Sequence, residues 1–177
     1  MAIPFLIVPF TADGIVRLYR NYDPAYWDRQ LQMVTSFRAL SRMVHLRRGS
    51  GLTLEWQPAS GTIIASGDSR TVRLWDAHRE NIAFVRYFKR NLLIQIDTYL
   101  FLFQEFSTQS ESPVTSIVSD PDAPSIFAMS FGDGTIQLYD KRLDDKDAVM
   151  SAWKAHDSWV HGVRWQRGGT KDFVSAR

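Results

Sequence analysis

Several places in the chain carry residue types that could do chemistry. Gly67-Asp68-Ser69 sets a hydroxyl beside a carboxylate and a glycine, the start of a nucleophile turn. A serine on such an elbow needs a second glycine behind it, and Arg70 and Thr71 stand there instead. Gly132-Asp133-Gly134 begins like a dinucleotide fingerprint, whose third glycine lets a helix close on a pyrophosphate; Gln137 fills that position and a strand-like alternation follows. The histidines His45, His78, His156 and His161 include no i,i+4 pair, and with no cysteine in the chain no thiolate joins them, which argues against zinc. Asp120-Pro121-Asp122 and Asp144-Asp145-Lys146-Asp147 gather carboxylates, but the second lacks the alternating ligands and central glycine of a calcium loop. Arg42, Arg47 and Arg48 near His45 could hold a phosphate, and read more simply as solvated loop. The expectation is a non-enzyme with no catalytic residue, no cofactor and no metal.

What Asp68 and Asp133 share is a position. Asp13-Gly14-Ile15-Val16-Arg17-Leu18-Tyr19, Asp68-Ser69-Arg70-Thr71-Val72-Arg73-Leu74-Trp75-Asp76 and Asp133-Gly134-Thr135-Ile136-Gln137-Leu138-Tyr139-Asp140 repeat one layout. Each is a turn followed by an alternating strand ending in an aromatic residue. Apolar or small-residue runs precede them at 5–11, 62–67 and 125–132, so run, turn and strand make a hairpin, with Asp-Gly supplying the positive φ of a tight turn. Further strands are expected at 52–56, 114–118 and 159–165, and an outer strand within 32–40.

Composition permits a folded domain. The chain has 177 residues, a formal net charge of +2 and 45% hydrophobic residues, values of one globular domain without disulfides. Its 21 cations against 19 anions are scattered, which gives little support to a nucleic-acid or membrane partner. The apolar start, Met1 to Phe10, lacks a basic leader, contains Pro4 and Pro9, and reads as a strand rather than a signal peptide. The run from Leu92 to Phe106 is too short and, with Gln95, Asp97, Gln104 and Glu105, too polar to span a bilayer; periodicity leaves strand and buried helix both open.

Short strands with recurring turns resemble a WD-repeat β-propeller, whose blades are four-stranded sheets repeating every ~40–45 residues. Trp75-Asp76 matches its Trp-Asp pair, Tyr139-Asp140 and Tyr19-Arg20 vary it, and Ala155-His156 resembles its blade-opening Gly-His. The expected fold is all-β: a partial propeller of about three blades plus part of a fourth, occupying 1–177 with blade pieces 5–40, 51–80, 112–153 and 155–177. Tyr19 to Trp75 and Trp75 to Tyr139 both exceed the usual repeat, and an atypical apolar insertion at about 81–109 accounts for the second excess. That segment is either a lineage-specific insertion or the product of a retained intron. The structural markers are Asp13, Ser66, Asp68, Trp75, Asp76, Asp133, Tyr139, Asp140 and His156. The resemblance implies a network from the blade-opening His through a Ser or Thr to the turn Asp and strand-end Trp, only partly present here. Trp56, Trp75 and Trp165 are expected between sheets, with Trp27 and Trp153 less constrained.

A narrower resemblance rests on Met33-Val34-Thr35-Ser36-Phe37-Arg38-Ala39-Leu40, on Arg48-Gly49-Ser50-Gly51 leading to Glu55-Trp56-Gln57, on 66–80 with its one-residue-longer turn, and on His156-Asp157-Ser158-Trp159-Val160. Together they resemble the raptor family, regulatory-associated proteins of TOR, in their carboxy-terminal propeller. That resemblance implies a noncatalytic scaffold fragment in TOR complex 1 and nutrient-responsive TOR kinase signalling. It also implies other subunits of that kinase complex as partners and a cytoplasmic location, peripheral to the vacuole or lysosome membrane through the complex. The other reading is a WD-repeat adaptor for chromatin or for ubiquitin-ligase substrate recruitment.

Overall fold

The computed structural model describes residues 5–8, 14–20, 32–40, 51–82, 98–166 and 172–177. Every regular element among them is a strand: β1 (Phe5–Val8), β2 (Ile15–Arg20), β3 (Gln32–Arg38), β4 (Leu52–Gln57), β5 (Thr62–Gly67), β6 (Thr71–Ile82), β7 (Thr98–Ser107), β8 (Val114–Ser119), β9 (Ile126–Phe131), β10 (Thr135–Asp140), β11 (Val149–Lys154), β12 (Gly162–Trp165) and β13 (Phe173–Ala176). They form antiparallel sheets in the orders β1-β2-β3, β4-β5-β6-β7, β8-β9-β10-β11 and β12-β13. Sequential neighbours pair throughout, the meander that short turns allow.

The three expected hairpins are equivalent in detail. Each aromatic marker sits at a β-bulge against the outer strand, with register shifts at Leu18/Tyr19, Leu74/Trp75 and Leu138/Tyr139. An equivalent backbone bond closes each blade: the N–H groups of Ala39, Thr108 and Ala155 reach the carbonyls of Gly14, Arg70 and Gly134, at 2.9, 2.8 and 3.1 Å. The longer turn of the second blade thus ends at Arg70 without disturbing the pairing that follows it.

Alternation of side chains explains why the sheets stack face to face. On β5, Ile63 and Ala65 pack with Val16, Leu18 and Phe37 of the first sheet, while Ile64 points the other way into a cluster with Phe127, Met129, Phe131 and Tyr139 of the third. On the third sheet Ala128 and Leu138 turn away from that cluster to meet Val163, Trp165 and Phe173 of the fourth. A middle strand is therefore covered on both faces, and all six residues of β5 are buried. This is why 62–67 reads as a continuous small and apolar run instead of an alternating one.

Two findings revise the strand expectations. The end of the segment expected as an insertion, Thr98–Ser107, is β7, the outer strand of the second blade, and Phe106 belongs to the main core. Bulges between Leu74 and Trp75 and between Asp76 and Glu80 disguised it, because each breaks the alternation on which pattern reading depends. The segment between β6 and β7 lies outside the described residues. The strand expected over 159–165 begins only at Gly162; Trp159 instead lies against Gly132, where an added Cβ would come within 2.7 Å of its ring.

Candidate functional site

The repeat markers hold turns and interfaces. Asp133 accepts the Thr135 N–H at 2.8 Å through one carboxylate oxygen and the Ser110 hydroxyl at 2.8 Å through the other. Burial works against its charge, but the bonds from Thr135 and Ser110 and the nearby Lys154 outweigh that and hold the carboxyl below the usual aspartate range. In Asp140, hydrogen bonds from Arg142 dominate and likewise favour the charged form, with Arg142 Nη2 at 2.6 Å. Tyr139 is fully buried, stacks on Phe127 with ring centroids 5.1 Å apart, and donates its hydroxyl to Gln137 at 2.6 Å; burial pushes its pKa upward. Trp75 packs on Phe37 with centroids 4.7 Å apart. Asp76 pairs with Thr62 across the β5–β6 ladder.

The expected His–Ser–Asp–Trp network is found only in pieces. His156 Nε2 lies 2.9 Å from Ser175 Oγ on β13, the link from a blade-opening histidine to the next strand. In the second blade the buried Ser66 hydroxyl donates to the Thr71 carbonyl at 2.9 Å, and neither Asp68 Oδ2 nor Trp75 Nε1 meets a partner among the described residues. Asp13, His45, Trp27 and the Arg42, Arg47 and Arg48 group lie outside the described residues. Trp153 packs against Phe173 with tilted rings, centroids 5.5 Å apart.

A second feature drew no expectation as a site. β4, β8 and β12 are the first strands of consecutive sheets and lie side by side, β8 packing against both β4 and β12. At their carboxy-terminal ends is a cavity of about 420 Å³ bordered by Glu55, Trp56, Asp120, Arg164 and Trp165, with Pro58, Pro121 and Pro124 among its walls. The hub beside it is Gln57, only 3% exposed. Its Nε2 donates to Ser119 Oγ at 2.7 Å and to the Pro124 carbonyl at 3.0 Å, and its Oε1 accepts from Lys141 Nζ at 2.7 Å and Ser60 Oγ at 3.2 Å. A buried amide on four partners is fully satisfied, so it fixes the second sheet to the third in one register.

Electrostatics at this end are uneven. Burial raises the Glu55 pKa, against the opposing pull of the Ser119 N–H at 3.0 Å, the Ser119 hydroxyl and the Arg164 charge. Burial likewise lowers the pKa of Lys141. Asp120 binds the N–H groups of Asp122 and Ala123 at 2.8 and 3.1 Å, so the Asp120-Pro121-Asp122 cluster is a turn. Among the described residues no group of three His, Asp or Glu side chains could hold a metal, and no helix is long and apolar enough to cross a membrane. The sequence signal for this site was polar residues at a strand end, Glu55 and Gln57 flanking Trp56. Its meaning depended on which strands become neighbours.

Comparison with known proteins agrees with this geometry. The family description "WD domain, G-beta repeat" matches residues 49–76, from the approach to β4 through the Trp75-Asp76 pair. The chain is 29% identical over 174 residues to the Saccharomyces cerevisiae target of rapamycin complex 1 subunit KOG1, covering 96% of this chain and 10% of that protein. It is 29% identical over 171 residues to the Schizosaccharomyces pombe target of rapamycin complex 1 subunit mip1, covering 97% of this chain and 11% of that one. The crystal structure of Chaetomium thermophilum Raptor superposes with a TM-score of 0.74 at 31% identity, over 98% of this chain and 14% of that chain. The chain thus spans about a tenth of the length of the curated relatives it matches. Along nearly its whole length the chain is homologous to the WD-repeat region of raptor proteins, folded as part of a β-propeller.

Proposed function

We propose that the chain supplies a noncatalytic propeller surface in a raptor-like subunit of TOR complex 1, acting as scaffold in nutrient-responsive TOR kinase signalling. The observation that carries this reading is the match of 96% of the chain to a subunit of that complex, with a fold superposing at a TM-score of 0.74 on Raptor. Residues 5–40, 51–80, 112–153 and 155–177 are then pieces of consecutive blades, and the repeat markers keep the blades in register without meeting substrate. Its partners are other subunits of the TOR kinase complex, and it works in the cytoplasm, reaching the vacuole or lysosome surface through them. Blade surfaces suit this task because stacked sheets stay rigid while their turns project into solvent.

Purification of the epitope-tagged protein from its own cells, followed by mass spectrometry, tests the reading. Recovery of TOR kinase in amounts comparable to the bait is the expected result. Recovery of a chromatin or ubiquitin-ligase assembly without TOR kinase would replace it with the reading as a WD-repeat adaptor of another complex.

A further inference from the structure

We propose that the turn between β10 and β11, residues 141–147, is a clasp that grips the second sheet by its first and last strands at once, and that the Asp140–Arg142 pair is the brace that keeps it closed. The inference rests on this geometry alone and does not depend on which complex the chain joins.

The turn belongs to the third sheet, yet its bonds reach both borders of the second, whose strand order puts β4 at one border and β7 at the other. At the inner foot, Lys141 Nζ donates to Oε1 of Gln57, the last residue of β4, at 2.7 Å. At the outer foot, Gln104 Nε2 donates to the Leu143 carbonyl at 3.3 Å. Asp145 there accepts the Ser107 N–H through one carboxylate oxygen and the Ser107 hydroxyl, at 3.2 Å, through the other. Ser107 closes β7, and no strand lies beyond β7 in its sheet among the described residues. Asp145 therefore satisfies a backbone donor that a neighbouring strand would otherwise take.

The turn is stiff within and lightly seated. Arg142 folds back on Asp140, with its N–H and Nε each 2.9 Å from Oδ1 and its Nη2 2.6 Å from Oδ2, the forked contact that makes an arginine–carboxylate pair directional. Asp140 is buried at the end of β10, so the turn is folded about an anchored carboxylate. Inside it the Leu143 N–H reaches the Asp140 carbonyl at 3.2 Å, and the Asp147 N–H reaches that of Asp144 at 2.9 Å. Residues 142–147 are themselves exposed, and Leu143, the one apolar residue among them, is 41% exposed. Polar bonds rather than burial hold the turn down, and a segment held in that way opens without the blades unfolding. Because one stiff turn carries both feet, freeing either foot loosens the other. Asp140, a repeat marker, thereby acts as a positioning residue for contacts made on the sheet before its own.

The test is amide hydrogen exchange of the full chain, followed residue by residue by NMR, with the Ser107 N–H as the reporter of the outer foot. Asp145→Ala removes the acceptor and sets the rate of the open clasp. Arg142→Ala removes the brace, and Lys141→Met removes the inner foot; neither side chain touches Ser107. Each is expected to speed exchange at Ser107 at least about fivefold while the amides of Ile63 to Ser66 in β5 keep the parental rate, the mark of local opening rather than global unfolding. Adding Arg142→Ala to Asp145→Ala should change the Ser107 rate no further, because both act on one closing event. Parental exchange at Ser107 in either Arg142→Ala or Lys141→Met, an equal acceleration in β5, or a further acceleration in the double variant would each overturn the proposal. Arg142 and Asp145 are exposed, so their variants keep the fold and the outcome decides.

Discussion

Replacing Gln57 by leucine isolates what holds the second and third sheets together at their inner ends. Leucine is close in volume and leaves the packing of β4 on β8 largely in place, so the loss is polar. It removes the bonds to Ser119, Pro124, Lys141 and Ser60 at 2.7, 3.0, 2.7 and 3.2 Å. A bond to a charged group contributes about 1.5–3 kcal/mol and neutral ones about 1 kcal/mol each. Ser60 and Pro124 are exposed and can recover part of theirs from water, whereas Lys141 and Ser119 are half-buried, so about 3 kcal/mol is expected. Urea denaturation followed by tryptophan fluorescence measures it, with Lys141→Met and the double variant closing a cycle whose coupling should be about 1–2 kcal/mol. The pH dependence supplies a check of sign. The folded-state pKa of Lys141 lies below its ordinary value of 10.5, so the folded protein binds fewer protons than the unfolded chain between the two values. Stability contributed by this residue must rise with pH across that interval, and Lys141→Met must abolish the rise. A Gln57→Leu change below about 0.5 kcal/mol, or a coupling indistinguishable from zero, would refute the assignment of Gln57 as the hub.

Two further outcomes test the repeat geometry. Gly134 has φ +91°, and a Cβ there would stand 2.0 Å from the His156 carbonyl oxygen, so Gly134→Ala should destabilise by more than about 2 kcal/mol in the same denaturation experiment. Phe106 is 1% exposed and packs its ring near Phe127 and Tyr139, with centroids 6.4 Å from each. Phe106→Ala should therefore cost about 3–5 kcal/mol, whereas a β7 that belonged to a dispensable insertion would tolerate it with almost no change.

The hairpins were legible in the sequence because their information is local. Asp-Gly turns, period-two alternation and a terminal aromatic residue repeat within a few residues of one another, and the bulge at each aromatic marker keeps the three copies equivalent. β7 was not legible as a blade strand because its partner β6 carries two register shifts and runs on to Ile82, so neither length nor alternation marked the pair. The markers were found as residues, yet their bonds were not: Asp133 reaches back to Ser110, in the connection before β8. The cavity could not be read at all. Glu55, Asp120 and Arg164 are far apart along the chain and belong to three sheets, so only the stacking order brings them to one place.

That stacking order also explains why a candidate site falls at the inner ends of the first strands. The middle strands β5 and β9 are covered on both faces, and the outer strands β7 and β11 lie a full sheet width away from their counterparts' first strands. Among the described residues, three successive sheets meet at their first strands, where β8 touches β4 on one side and β12 on the other. Convergence forces polar strand ends together in partial burial, and each must find a partner or carry a penalty. Gln57 solves the problem by satisfying four groups at once, and Glu55 by accepting the Ser119 N–H at 3.0 Å and lying near the Arg164 charge, although burial still raises its pKa.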